Sequence, residues 1–145
     1  MPMISKSLEE TRKIAQDFAQ KLAPSSEKAT VVALSGDLGS GKTTFTKAFA
    51  ESFGIDEKEV LSPTFVIMKS YNIDKKTSSL KKLIHIDAYR LESADEIKKL
   101  GWQKILADQN NLILIEWPEN IGNAIPNDAK KIKFKFIDEN TREII

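Results

Sequence analysis

The sequence predicts an α/β fold in three layers, a mixed central sheet flanked by helices, organised as one domain over residues 1–145. Three observations carry this. TVVALS at 30–35 is short, nearly all apolar and rich in β-branched residues, as a strand buried on both faces would be. The glycine-rich stretch GDLGSGKTT at 36–44 follows it directly, and Phe45, Ala48, Phe49 and Phe53 then recur at helical spacing. Two further apolar runs, LIHI and LILI, each end on an acid, and 145 residues suffice for about one core.

Taken in order, Ser7 with Glu10 forms a capping-box pattern, and Leu8, Thr11, Ala15, Phe18, Ala19 and Leu22 follow at helical spacing toward a stop near Pro24. After the glycine stretch and its helix, SPTFVIMKSY (62–71) reads as a turn feeding a strand. KLIHIDAYRL (82–91) reads as another, and the polar link between them suggests an antiparallel hairpin. Within that second strand His85, Asp87 and Tyr89 should share one face, with Arg90 on the other. Ser93 and Glu96 repeat the capping-box signal, ahead of a helix through Ile97, Leu100, Ile105 and Leu106 that Gly101 can break. NLILIEWPEN (111–120) holds the most apolar short run, and KKIKFKFIDEN (130–140) alternates lysine with Ile132, Phe134 and Phe136, as a strand with one wet face does. Pro118 and Pro126 fall in connections. These elements suit a parallel core with antiparallel strands on one side.

Gly36, Gly41, Lys42 and Thr43 complete a G-x-x-x-x-G-K-[ST] pattern between a buried strand and an amphipathic helix, which makes the expected fold P-loop NTPase-like. Glycines let the backbone curl so that several N–H groups face one anion, and the helix adds its positive end. Phosphate binding is therefore assigned to Gly36, Asp37, Leu38, Gly39, Ser40, Gly41, Lys42, Thr43 and Thr44. Lys42 can reach the β and γ phosphates, and the Thr43 hydroxyl is placed for Mg²⁺. For Asp37 a capping role competes with a catalytic one.

Hydrolysis also needs a held ion and a placed water, which P-loop enzymes manage with an acid at the end of a hydrophobic strand. Asp87 and Glu116 both answer that description. Glu116 follows the purer buried strand and could hold the ion through a water, while Asp87 could fix the ion or align the attacking water. Thr64 sits in a turn able to bend over the nucleotide and sense its γ-phosphate; capping of that turn is the plain alternative. His85 is better suited to orienting a neighbour or satisfying core polarity than to ligating metal. Trp117, beside Glu116, fits core packing, a nucleotide contact or a partner contact. No N-K-x-D sequence is present for reading guanine, so ATP is favoured over GTP.

Composition excludes several classes. Without cysteine there are no disulfides, thiolate nucleophiles or cysteine-ligated metals, and one histidine rules out a histidine-rich site. No run approaches the roughly 20 apolar residues that cross a bilayer, and MPMISKSLEET lacks a signal-peptide core, so a cytoplasmic protein without membrane contact is expected. With 22 basic and 21 acidic residues the formal charge is +1, which gives no global attraction to nucleic acid. KKTSSLKK at 75–82 is a local basic patch that suits a solvated loop better than an RNA contact.

GDLGSGKTTF (36–45), SPTF (62–65), HIDAYRL (85–91) and IEWPE (115–119), in this order behind an S-x-E-E-T helix start, closely resemble the bacterial TsaE (YjeE) family of tRNA threonylcarbamoyladenosine biosynthesis ATPases. The resemblance covers residues 5 to about 120; residues 121–145 carry no motif of the family, and Ser40 stands where alanine is commoner. It implies a small ATPase using ATP and Mg²⁺, weak alone, that acts with the TsaB and TsaD proteins. They attach a threonylcarbamoyl group to N6 of the adenosine next to the anticodon in tRNAs reading codons that begin with A. By position it implies phosphate and magnesium roles for Lys42 and Thr43 and a switch-like role for Thr64. Asp87 becomes a catalytic or magnesium-linked acid, Glu116 the Walker B acid, and Trp117 the family tryptophan beside it. tRNA is implied only through the complex. A small-molecule kinase and an ATP-binding assembly factor without required turnover are the rival readings, the first weakened by a total of three arginines, Arg12, Arg90 and Arg142.

Overall fold

The computed structural model describes residues 3–22, 24, 27–36, 41–56, 68–74 and 80–145. Among the described residues, seven strands and four α-helices follow in the order β1 (Met3–Ser5), α1 (Leu8–Gln20), β2 (Thr30–Gly36), α2 (Lys42–Glu51), β3 (Met68–Asn72), β4 (Lys82–Asp87), α3 (Ala94–Lys98), α4 (Trp102–Ala107), β5 (Asn111–Glu116), a 3₁₀ helix (Pro118–Ala124), β6 (Lys130–Phe136) and β7 (Arg142–Ile144). One sheet holds all seven strands in the order β1-β7-β6-β2-β5-β4-β3. Neighbours from β4 through β5 and β2 to β6 run parallel. Antiparallel pairs close both edges, β3 on β4 at one and the β6-β7-β1 wing at the other.

Antiparallel strands therefore lie on two sides of the parallel core, where the sequence pattern placed them on one. The difference lies in β1 and β7. Each is three residues long, too short to show a period of two, and they form because each finds a partner that is far away in sequence.

The central strands are buried on both faces, and alternate residues divide between two cores. Val32, Leu34, Leu112, Leu114, Ile132 and Phe134 meet Ala15 and Ala19 of α1 and Phe45, Phe49 and Phe53, with Phe18 packed alongside. Val31, Ile84, Ile86, Ile113 and Ile115 meet Ile97 of α3, Trp102 of α4 and Ile121 and Ala124 of the 3₁₀ helix. Phe45 is the hinge of the first core: its ring lies 5.3 Å from Phe134 in an edge contact and 6.1 Å from Phe49.

Helix starts follow the capping logic unevenly. Ser7 Oγ accepts from the Glu10 N–H at 3.1 Å and the Glu10 carboxylate accepts from the Lys6 N–H, so the first capping box forms one residue wider than the usual reciprocal pair. At Ser93 only half forms: Glu96 accepts from the Glu92 N–H at 2.8 Å, and the serine side chain makes no cap bond. The expected helix divides at Gly101, whose φ of 82° is left-handed, giving α3 and α4. β4 ends at Asp87, short of the expected 91, so Tyr89 sits in a turn and does not share the strand face of His85 and Asp87. The turn is fixed by Asn120, whose Nδ2 donates to the carbonyls of Ala88 and Tyr89 at 2.9 and 3.1 Å.

Phe45→Ala should lower unfolding stability by about 4 kcal/mol, since it removes a fully buried ring that three other phenylalanines touch. Urea unfolding followed by circular dichroism reads this directly.

Candidate nucleotide site

Because β4, β5, β2 and β6 are parallel, their carboxyl ends meet at one edge of the sheet, where open α/β sheets bind their ligands. β2 ends at Gly36 with φ 137°, and the chain enters α2 through Gly41 at φ 103°. These are left-handed conformations open to glycine at little cost, and they turn the backbone sharply at each end of the loop. Gly41 offers no side-chain cap, so the first N–H groups of α2 are left to whatever lies before them. Thr43 is exposed in the first turn and Thr44 half-buried. Asp37, Leu38, Gly39, Ser40 and Thr64 lie outside the described residues, as does the 75–79 part of the lysine patch.

Lys42 is 5% exposed, yet its ammonium is compensated. Nζ donates to the Gly36 carbonyl at 2.5 Å and lies 3.6 Å from the centroid of the Trp117 ring, a cation over an aromatic face. Trp117 holds its ring there from a left-handed backbone, φ 59° and ψ 50°, which costs a bulky residue energy and is offset by contacts on both sides. Its N–H donates to the Leu34 carbonyl at 3.3 Å, and Tyr89 packs 5.0 Å away, ring to ring. Pro118 follows at the start of the 3₁₀ helix, where a fixed φ suits it.

The two acids stand on neighbouring strand ends. Asp87 pairs in register with Glu116, and Glu116 with Leu34, so all three point to the α2 side of the sheet. His85 shares that face, and its Nε2 lies 2.8 Å from Glu116 Oε2 with both side chains nearly buried. A carboxylate only accepts, so Nε2 is the protonated nitrogen and donates. One oxygen of Glu116 is thereby occupied and the carboxylate fixed in direction. Asp87 Oδ1 accepts from the Tyr89 N–H at 3.1 Å, which steadies the turn after β4.

Among the described residues no three histidine, aspartate or glutamate side chains cluster as a metal cage. The donor set of Thr43, Glu116 and Asp87 suits Mg²⁺, which is commonly bound through one or two carboxylates together with phosphate oxygens.

Residues 5–144 match the profile of the family described as "Threonylcarbamoyl adenosine biosynthesis protein TsaE". The chain belongs to this family. It is 38% identical over 140 residues to the TsaE protein of Rickettsia felis, covering 97% of this chain and 75% of that one. To the TsaE protein of Bacillus subtilis it is 40% identical over 136 residues, 94% of this chain and 78% of the relative. Among solved structures it resembles Bacillus subtilis YdiB, with a TM-score of 0.74 and 33% identity over 99% of this chain and 82% of that one. The TsaE match runs on through β6 and β7, beyond the residue near 120 where recognisable motifs stop.

That last segment returns one arginine to the glycine loop. Arg142 opens β7 opposite Phe136, and its stem packs on Gly41: a Cβ there would lie 3.6 Å from Cγ and 3.8 Å from Nε. Nη1 donates to the carbonyls of Asp138 and, at 3.1 Å, Thr141. No spacing signal marks it, because only the β6-β7 pairing brings it back to the loop. Arg90, the arginine within HIDAYRL, is exposed on the turn after β4.

The 138–141 turn carries a pH signature. The Asn140 N–H, then Thr141 and the nearby Arg142 charge, hold the Asp138 carboxyl below the ordinary aspartate value. A depressed folded value means its contribution to stability is present above the unfolded pKa and lost as pH falls through the folded one. Carboxyl NMR titration should therefore show Asp138 protonating at lower pH than in the unfolded chain, and Asp138 in an Arg142→Ala protein shifting back upward.

Proposed function

We propose that this TsaE-family protein is a Mg²⁺-dependent ATPase that supports threonylcarbamoylation of tRNA at N6 of the adenosine next to the anticodon, by acting on a complex of TsaB and TsaD. One observation supports this above the others: a compensated, nearly buried Lys42 at the glycine loop, next to two acids registered on adjacent strand ends. Lys42 and the N–H groups from Gly41 onward bind the phosphates. The Thr43 hydroxyl with Glu116 and Asp87 would hold Mg²⁺, which when bound would supply charge neutralisation for the phosphates. Glu116, directed by His85, and Asp87 between them orient the attacking water. Thr64 is assigned a γ-phosphate contact on the family resemblance. Phosphoryl transfer needs its compensating charges in place beforehand, so turnover alone should be slow until a partner surface completes them.

The deciding experiment is ATP hydrolysis by the purified protein with and without its cognate TsaB and TsaD, next to a Lys42→Ala control. Strong stimulation abolished by Lys42→Ala is expected. Absence of stimulation by active partners sinks the proposal, and a phosphorylated small-molecule product turns the reading to a kinase. Normal tRNA modification by a hydrolysis-dead Glu116→Ala protein would instead turn it to an assembly factor.

His85→Ala should lower kcat about tenfold while nucleotide Kd stays within twofold, because it frees the direction of Glu116 without touching the phosphate loop. His85→Gln, which keeps a donor, should recover part of the rate.

A further inference from the structure

Resting on the nucleotide reading above, we infer that Asn120 is a positioning residue of the phosphoryl-transfer site: its side-chain amide clamps the 88–89 turn to the Trp117 corner and so fixes the Asp87 carboxylate beside Glu116. The need for a clamp follows from where the sheet stops. Asp87 and Glu116 are the last registered pair of β4 and β5. One more backbone bond, from the Ala88 N–H to the Glu116 carbonyl at 3.0 Å, ends the ladder, and past it the two chains part into a turn and a 3₁₀ helix. A carboxylate at the last position of a strand has no ladder beyond it to set its direction.

Asp87 takes its direction from the turn. Its Oδ1 accepts from the Tyr89 N–H at 3.1 Å, so the carboxylate is only as fixed as the Tyr89 backbone. Burial does not hold that backbone, since Tyr89 is 53% exposed. Asn120 does. Its Nδ2 donates to the Ala88 carbonyl at 2.9 Å and to the Tyr89 carbonyl at 3.1 Å, the two residues directly after the acid. Both hydrogens of the amide are used, and of its two polar atoms only the nitrogen can face two carbonyl oxygens. The Asn120 N–H in turn donates to the Trp117 carbonyl at 3.1 Å, which anchors the clamp to the residue after Glu116. A continuous path therefore runs from Glu116 through Trp117 and Asn120 to the 88–89 turn and back to the Asp87 carboxylate. It joins the two strand ends at a level the sheet does not reach. The chemistry is particular to the amide: alanine makes neither bond, and aspartate, of nearly the same shape, sets an acceptor against two acceptors. A reacting group displaced by a fraction of its proper distance costs rate, whereas the phosphate loop, on β2 and α2, keeps its own contacts.

The test takes wild type, Asn120→Ala and Asn120→Asp as full chains and reads two quantities. The first is amide exchange by NMR in the nucleotide-free protein. The Tyr89 amide should exchange about tenfold faster in both variants, while the Ile86 and Ile115 amides in the strands behind the acids stay within twofold. The second is ATP turnover with TsaB and TsaD, where kcat should fall about tenfold and the Kd for ADP stay within twofold. Unchanged Tyr89 exchange overturns the clamp. Equal acceleration at Tyr89, Ile86 and Ile115 also overturns it, since Asn120 would then be a general contributor to stability. Faster Tyr89 exchange with unchanged kcat overturns the positioning role, as does a loss of ADP binding as large as the loss of kcat. In these cases the ATPase reading stands. Wild type that fails to turn over ATP with active partners removes that reading and this inference together. If Asn120→Ala loses its native circular dichroism, Asn120→Asp decides by the same criteria.

Discussion

Parallel pairing of β2 with both β5 and β6 is the constraint on which the rest of this structure depends. It sends three loops out at the same edge: the glycine loop from β2, the Glu116-Trp117 corner from β5 and the 137–141 turn from β6. β4 adds Asp87 by pairing with β5 in register. Since registered partners share a face, one set of backbone hydrogen bonds fixes both the height and the side on which each acid emerges. A slip of one residue in β5 would turn Glu116 away from α2 and Ile115 toward it.

Within that frame the site is organised around charge kept partly out of water. An ammonium at the depth of Lys42 is costly unless paired, and here a carbonyl and an indole face share the task. The indole reaches that position from a left-handed backbone at Trp117, directly after the strand. His85 plays the corresponding part for Glu116, saturating one oxygen and leaving the other directed. The left-handed residue thus lies directly beside the acid that His85 fixes.

The β6-β7-β1 wing borders the start of α2 at Gly41. β1 is stapled to α1 by the Ser5-Thr11 hydroxyl pair at 2.7 Å, and β7 ends with Ile144 in the first core. These anchors set the start of α1 and the start of β7 on either side of Gly41.

Legibility followed the range of the interactions. The glycine loop, the amphipathic face of α2, the buried runs ending on Asp87 and Glu116, and the break at Gly101 were all readable, because each is written in adjacent residues or in a period of two or 3.6. The sequence by itself determined the α/β class, the phosphate motif, the two acids and membership of the TsaE family. Tertiary structure alone decided that antiparallel strands close both edges, that Tyr89 leaves the strand, that His85 meets Glu116, that Lys42 lies under Trp117 and that Arg142 returns to Gly41. Each of these depends on which strands pair and in what register, and that is settled by the summed burial of two cores and their backbone hydrogen bonds, a quantity no local window of sequence contains.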